Sequence, residues 1–231
     1  MSCRARFMSG ADHEVGSALV VVLLGMTLLL ALTAAAVLLA SSDMLAASRQ
    51  RDARVALSAA EAALERAASD LVDIPDWSLI LSGAVTSSRV DGPASVSRVP
   101  FGGRTLTPDQ VANLATCGTT TGACSTAACA AVTAERPWGA NNPRWRPFAY
   151  GPFDPAAPYV VVLVGDDPSE NDGDPERDGV APGNPGAGII LLRAEAFGPS
   201  DTRRVVEAAI ARVTVASGVA LPRFLSWNEV R

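Results

Sequence analysis

Hydrophobic and polar positions divide this chain into a strongly patterned beginning, a weakly patterned middle and a repatterned end. No charged residue occurs from 15 to 42, and residues 19–40 are Leu, Val, Ala, Met, Thr and Gly. A helix rises about 1.5 Å per residue, so about 20 apolar residues cross a bilayer. The run is long enough to do so. It is too long for the apolar region of a cleaved secretory signal, about 7–15 residues. A buried core helix of this length with no polar face would be unusual.

The helical pattern continues beyond the apolar run. From Leu45 the chain reads LAASRQRDARVALSAAEAALERAASDLVDI, with no Gly or Pro before Pro75. Leu57, Leu64 and Leu71 fall seven residues apart, with Ala60 and Ala67 between them, a narrow apolar stripe at helical spacing. Arg49, Arg51, Arg54, Glu61, Glu65, Arg66 and Asp70 take other faces. Alanine has the highest helix propensity. The pattern predicts one helix over residues 17–72, ended at the Ile74–Pro75 step. Its stripe suits packing on its own domain, packing among similar helices in a filament, or both.

Gly, Pro, Ser and Thr then blur the pattern, with a short β-like run at 95–101. Thr107 before Pro108 predicts a short helix over 107–114, capped by the threonine. Residues 135–159 hold six prolines together with Trp138, Trp145, Phe148 and Tyr150, and read as loop that packs through its aromatic rings. Strand-like runs follow at YVVVLV (159–164) and GIILLRAEAF (188–197). A Gly198-Pro199-Ser200-Asp201 turn comes next. In residues 204–215, Val206, Ala208 and Ile210 alternate with Glu207, Ala209 and Ala211. The Ala content there also fits a helix, but the hairpin context favours strand. Residues 218–231 read as a last strand or a packed tail. The expected fold is α+β: a long N-terminal helix, half membrane and half amphipathic, on a small antiparallel sheet. The expected divisions are 1–16, a membrane half at 17–42, an amphipathic half at 43–74 and one globular domain at 75–231.

Composition narrows the functions. The net charge is −5, which argues against a nucleic-acid partner. All 19 basic residues are Arg. The single histidine, His13, precedes the apolar run, so the globular domain has no Ser-His-Asp or Cys-His set and no His-ligated metal. A non-catalytic protein is expected. Gly183-Asn184-Pro185-Gly186-Ala187-Gly188 is Gly-rich, but it precedes a strand and the chain has no Lys to bind phosphate.

Two segments carry candidate chemistry. Cys117, Cys124 and Cys129 share one small-residue segment; an oxidising compartment would join two of them and leave one thiol, and spacing does not choose the pair. Residues 165–179 hold seven acidic groups and one Arg between two strands. Asp172, Asp174, Glu176 and Asp178 alternate, a donor set suited to Ca2+, with Gly173 and Gly179 allowing turns. The spacing is not that of an EF-hand, and a merely solvated acidic loop has the same composition.

The order of these features resembles type IV pilins and type II secretion pseudopilins. GSALVVVLLGMTLLLALTAAAVLL, LSAAEAALERA and the ending FLSWNEVR resemble the PilX-type minor pilins. The resemblance implies a pilin-like fold and a prepilin leader cut by a prepilin peptidase between Gly16 and Ser17, with Ser17 as a methylated N-terminus. It also implies an inner-membrane helix, a periplasmic domain, and minor and major pilins as partners. The basic residues alone do not set this orientation, since Arg4 and Arg6 flank one side of the run and Arg49, Arg51 and Arg54 the other. The fifth residue after the cleavage point is Val21, where major pilins carry the Glu that pairs with a neighbour's N-terminal amine. That departure suits a minor subunit that primes or caps a filament. Val21, Leu57, Ala60, Leu64, Ala67 and Leu71 are the expected helix-packing positions. A tip pseudopilin of type II secretion and a membrane-tethered periplasmic binding or adhesive module remain alternatives.

Overall fold

The computed structural model describes residues 14–152, 158–170, 172–179, 186–216 and 218–230. Residues 1–13 of the expected leader, with Cys3 and His13, lie outside the described residues, as do 183–185 of the Gly-rich segment. The chain divides into two compact units, Met1–Ser48 and Arg49–Arg231. Helix α1 is continuous from Glu14 to Val72, 59 residues, starting three residues before the expected 17 and ending at the expected residue.

In the larger unit, α1 lies on a five-stranded sheet. The strands are β3 (Arg146–Pro152), β4 (Tyr159–Asp166), β5 (Ile189–Phe197), β6 (Arg203–Thr214) and β7 (Ala220–Val230). They pair in sequence order as an all-antiparallel meander. Strands β4, β5 and β6 turn alternate residues toward the helix. Val160, Val162 and Val164 of β4, Ile190, Leu192, Ala194 and Ala196 of β5, and Val206, Ala208 and Ile210 of β6 join one core with Ala56, Ala60, Leu64, Ala67 and Leu71 of α1. The alanines let the helix backbone come close to the sheet. Leu64 and Leu71 are fully buried and supply most of its apolar bulk there, each contributing about 1.5–3 kcal/mol. Leu57 is only half-buried, whereas Ala56, Ala59 and Ala68 are buried, so the covered face is broader than a heptad seam.

The strand reading of 204–215 holds: Val206, Ala208 and Ile210 pair with Ala194, Leu192 and Ile190. The β5–β6 connection is a tight turn in which Thr202 N–H donates to Pro199 C=O (3.1 Å) and Ser200 and Asp201 both adopt φ 56°. Residues 218–231 supply a strand, β7.

One expectation needs correcting. The stretch 135–159 contains a strand, β3, and is not all loop. Proline is tolerated there because β3 is an edge of the sheet: Pro147 sits at a register shift and Pro152 is the last residue. The far side of β3 is covered by residues 87–91, with Ser87 N–H on Phe148 C=O (2.9 Å) and Tyr150 N–H on Arg89 C=O (3.1 Å). The packing role of the aromatics holds for Trp145, Phe148 and Tyr150, which are buried, while Trp138 is exposed.

A second layer covers the other face of β4 and β5. A hairpin of β1 (Val99–Phe101) and β2 (Arg104–Leu106) turns there through Gly102–Gly103, both at positive φ, whereas helix α2 (Ser78–Leu81), which follows α1, adds Ile80 and Leu81 to the first core. Helix α3 (Pro108–Cys117) starts where Thr107 was expected to cap it. Thr107 Oγ1 accepts from Gln110 N–H (3.0 Å), and Gln110 Oε1 accepts from Thr107 N–H (2.9 Å). The helix runs three residues beyond the expected 114 and stops at Gly118, φ 73°. Val99, Leu106, Val111 and Ala112 meet Val161, Leu163 and Phe197 in a second core. Glu195 on this face is wholly buried between Arg193 (2.6 Å) and Arg203 (2.7 Å).

Candidate functional site

The apolar stretch of α1 is long and apolar enough to cross a membrane. Its side chains, Leu19 to Leu45, are exposed. Its hydroxyls are satisfied inside the helix: Thr27 on Leu24 C=O (2.9 Å), Thr33 on Leu30 C=O (2.9 Å), Ser41 on Leu38 C=O (2.8 Å) and Ser42 on Leu39 C=O (2.8 Å). Hydrocarbon offers no partner to a polar group, so this closure lowers the cost of entering lipid. Val21 is exposed on this stretch, and Gly16–Ser17 lies in the first turn of α1. Leu57, Ala60, Leu64, Ala67 and Leu71 all face the helix's own sheet.

The acidic loop separates into two groups. Glu176 is held by Arg144 (2.5 Å) and Arg146 (2.6 Å), which keeps its carboxyl below the usual carboxylate range, the Arg144 hydrogen bond being the largest cause. Asp174 Oδ1 accepts from Glu176 N–H (3.3 Å). Asp178 Oδ1 accepts from Gly188 N–H (2.7 Å); burial nevertheless pushes Asp178 up. These three of the four alternating candidates serve to shape and pin the loop. The fourth, Asp172, meets two residues that the alternation does not include. Carboxylate oxygens of Asp166, Glu170 and Asp172 lie within 4.8 Å of one another. Asp166 and Glu170 are buried, and Asp172 is exposed. Asp166 is pushed up to about 8, first by burial and then by Glu170, with Asp172 and Asp178 adding to it. The signal for Asp166 was in the strand period: it follows Val160, Val162 and Val164 by two residues, on the face turned to α1. Glu170 has no such signal, because loop geometry brings it in.

Cys117 and Cys124 form the disulfide, which ties the end of α3 to the next loop. Cys129 is a buried free thiol at the end of α4 (Thr126–Cys129). A cleft of about 270 Å³ opens between α1 and β3, lined by Arg66, Asp70, Arg89, Asp91, Tyr150 and Val160 among others. The sheet edge β7 leaves Leu221, Phe224, Leu225 and Trp227 exposed, with the Phe224 and Trp227 rings 5.2 Å apart. Sequence reading placed a strand or tail there but missed this apolar edge.

Compared with known proteins, the chain matches no protein family, no curated protein and no solved structure.

Proposed function

We propose that this chain is a minor, pilin-like subunit that helps prime or cap a type IV pilus, without catalysis. The observation that carries the reading is a single unbroken helix. Its early residues are apolar and exposed, and one face of it from Ala56 to Leu71 is buried on an antiparallel meander. Such a helix anchors a domain in a bilayer with one element. It also offers the same apolar stretch to neighbouring helices when the subunit leaves the membrane. In this reading the leader ends at Gly16, Ser17 is the N-terminus, and the larger unit is periplasmic. The partners are inner-membrane lipid, prepilin peptidase and other minor and major pilins. Val21 supplies no carboxylate for a neighbouring amine, which fits a position with no pilin above it.

The exposed β7 aromatics and the cleft between α1 and β3 favour a second reading, a membrane-tethered binding module. Intact mass spectrometry of the protein from its native membrane separates the two. The pilin reading expects a chain that begins at Ser17 and carries one extra methyl group. A chain that retains residues 1–16 would remove it and leave the tethered module.

A further inference from the structure

We infer that Asp166, Glu170 and Asp172 form a calcium site that locks the acidic β4–β5 loop onto the end of the sheet.

Three carboxylates gathered at one point are not in themselves a site, since exposed acidic loops gather them often. Here the second observation is Asp166 itself. It is 3% exposed, and its Oδ1 is buried without a hydrogen-bond partner among the described residues. Leaving a buried carboxylate oxygen unmatched is costly, and a cation is the partner that its surroundings lack.

The donor chemistry selects the ion. All three ligands are hard carboxylate oxygens, with no His or Cys in the cluster. Oxygens bound to one Ca2+ lie about 2.3–2.6 Å from it, so two of them are at most about 4.6–5.2 Å apart. The cluster, within 4.8 Å, is compatible with that limit. Mg2+ holds its oxygens at about 2.0–2.1 Å in a strict octahedron and keeps its waters, and so is less suited to an all-carboxylate cluster.

The scaffold is built before any ion arrives. Asp166 is fixed by the β4 ladder opposite Ile190. Glu170 N–H donates to Asp167 C=O (3.0 Å), and Gly179 N–H donates to Glu170 Oε2 (2.8 Å). Gly186 packs so tightly on Glu170 that a Cβ there would overlap Glu170 Cγ. Asp172 Oδ1 accepts from Asp174 N–H (2.9 Å), and Gly173 N–H donates to Asn141 Oδ1 (2.9 Å). Asp174, Glu176 and Asp178 are occupied in holding the loop. Asp172 is the solvent-facing ligand and the point of entry.

This site does not depend on the pilin reading. Its test is calcium titration of the full chain in detergent at pH 7.5, after chelator treatment, by calorimetry and by thermal unfolding, with Mg2+ as comparison. Wild type is expected to bind one Ca2+ with an affinity in the 0.1–1 mM range typical of extracellular modules, to unfold at higher temperature with Ca2+, and to respond less to Mg2+. Asp172→Asn, at an exposed position, is expected to fold normally and lose at least about ten-fold in affinity. Asp166→Asn removes the buried charge and is expected to abolish the calcium shift. Asp174→Asn is the control that keeps it. Absence of binding up to about ten times that concentration range would mean that protons alone neutralise the cluster, and would overturn the site. Binding that survives both Asp166→Asn and Asp172→Asn would overturn it equally.

Discussion

Trp77 Nε1 donates a hydrogen bond of 3.0 Å to the carbonyl oxygen of Leu71, in the last turn of α1. The last carbonyls of a helix lack partners within it. Ile74 N–H meets the same carbonyl at 3.1 Å. The Arg212 guanidinium, from β6, lies 4.7 Å over the Trp77 ring and donates to the Pro75 carbonyl at 2.8 Å and to that of Ile74. Residues far apart in the chain thus close the helix end. Trp77→Phe keeps most of the ring and loses the donor, an expected cost of about 1 kcal/mol. Trp77→Ala also empties a buried site, an expected cost of about 3–5 kcal/mol. Chemical unfolding of the detergent-solubilised chain reads both. Equal losses would assign the whole effect to the indole N–H.

The two halves of α1 should respond differently to substitution. Leu64→Ala opens a cavity between helix and sheet and is expected to cost about 2–5 kcal/mol. Ala60→Leu forces bulk into a fully buried contact, at about 1–3 kcal/mol. Leu23→Ala, on the exposed apolar stretch, is expected to leave the unfolding of the sheet domain within about 0.5 kcal/mol of wild type. Unfolding of the three variants in the same detergent checks the contrast.

The Cys117–Cys124 bridge closes a short loop at sequence separation 7. Cys124→Ser is expected to lower stability by about 2–3 kcal/mol. In the native chain Cys129, being buried, is expected to resist maleimide until the protein unfolds. Peptide mapping of the labelled, unreduced protein reads the pairing. A labelled Cys117 with Cys124 joined to Cys129 would refute it.

Acid should loosen the β4–β5 loop through Glu176. Its folded carboxyl lies below the ordinary value of 4.5, so its contribution to stability is fully present above about 4.5. That contribution falls away as pH drops through the lower folded value. Glu176→Gln is expected to lower stability at pH 6 and to flatten the acid limb of the stability curve between pH 5 and 3. Thermal unfolding across that range reads the slope. An unchanged slope would mean that the two arginines, partly exposed, are screened by water.

Much of the fold was legible because its signals are local. The uncharged run, the absence of Gly and Pro up to Pro75, and the Thr107–Pro108 cap each act within a few residues. The alternation of Val206, Ala208 and Ile210 is local too, and it placed the correct face of β6 on the core. Strand β3 was hidden because proline signals loop by itself, and only the sheet shows that Pro147 and Pro152 need no ladder partner on an edge. The Gly102–Gly103 dipeptide was a readable hairpin signal between β1 and β2 that the sequence reading passed over. In the acidic loop, alternation pointed to Asp172, Asp174, Glu176 and Asp178, yet only Asp172 joins the carboxylate cluster.

The sequence by itself determined the long helix, its apolar stretch, the later strands and the lack of histidine chemistry in the globular domain, because periodicity and composition are properties of neighbouring residues. Tertiary structure alone decided that Cys117 pairs with Cys124 and leaves Cys129 free. It also decided that Arg144 and Arg146 take Glu176, and that Asp166 and Glu170 meet Asp172. Those pairings join segments whose separation is set by how the strands stack and the loops return. No spacing along the chain encodes that distance.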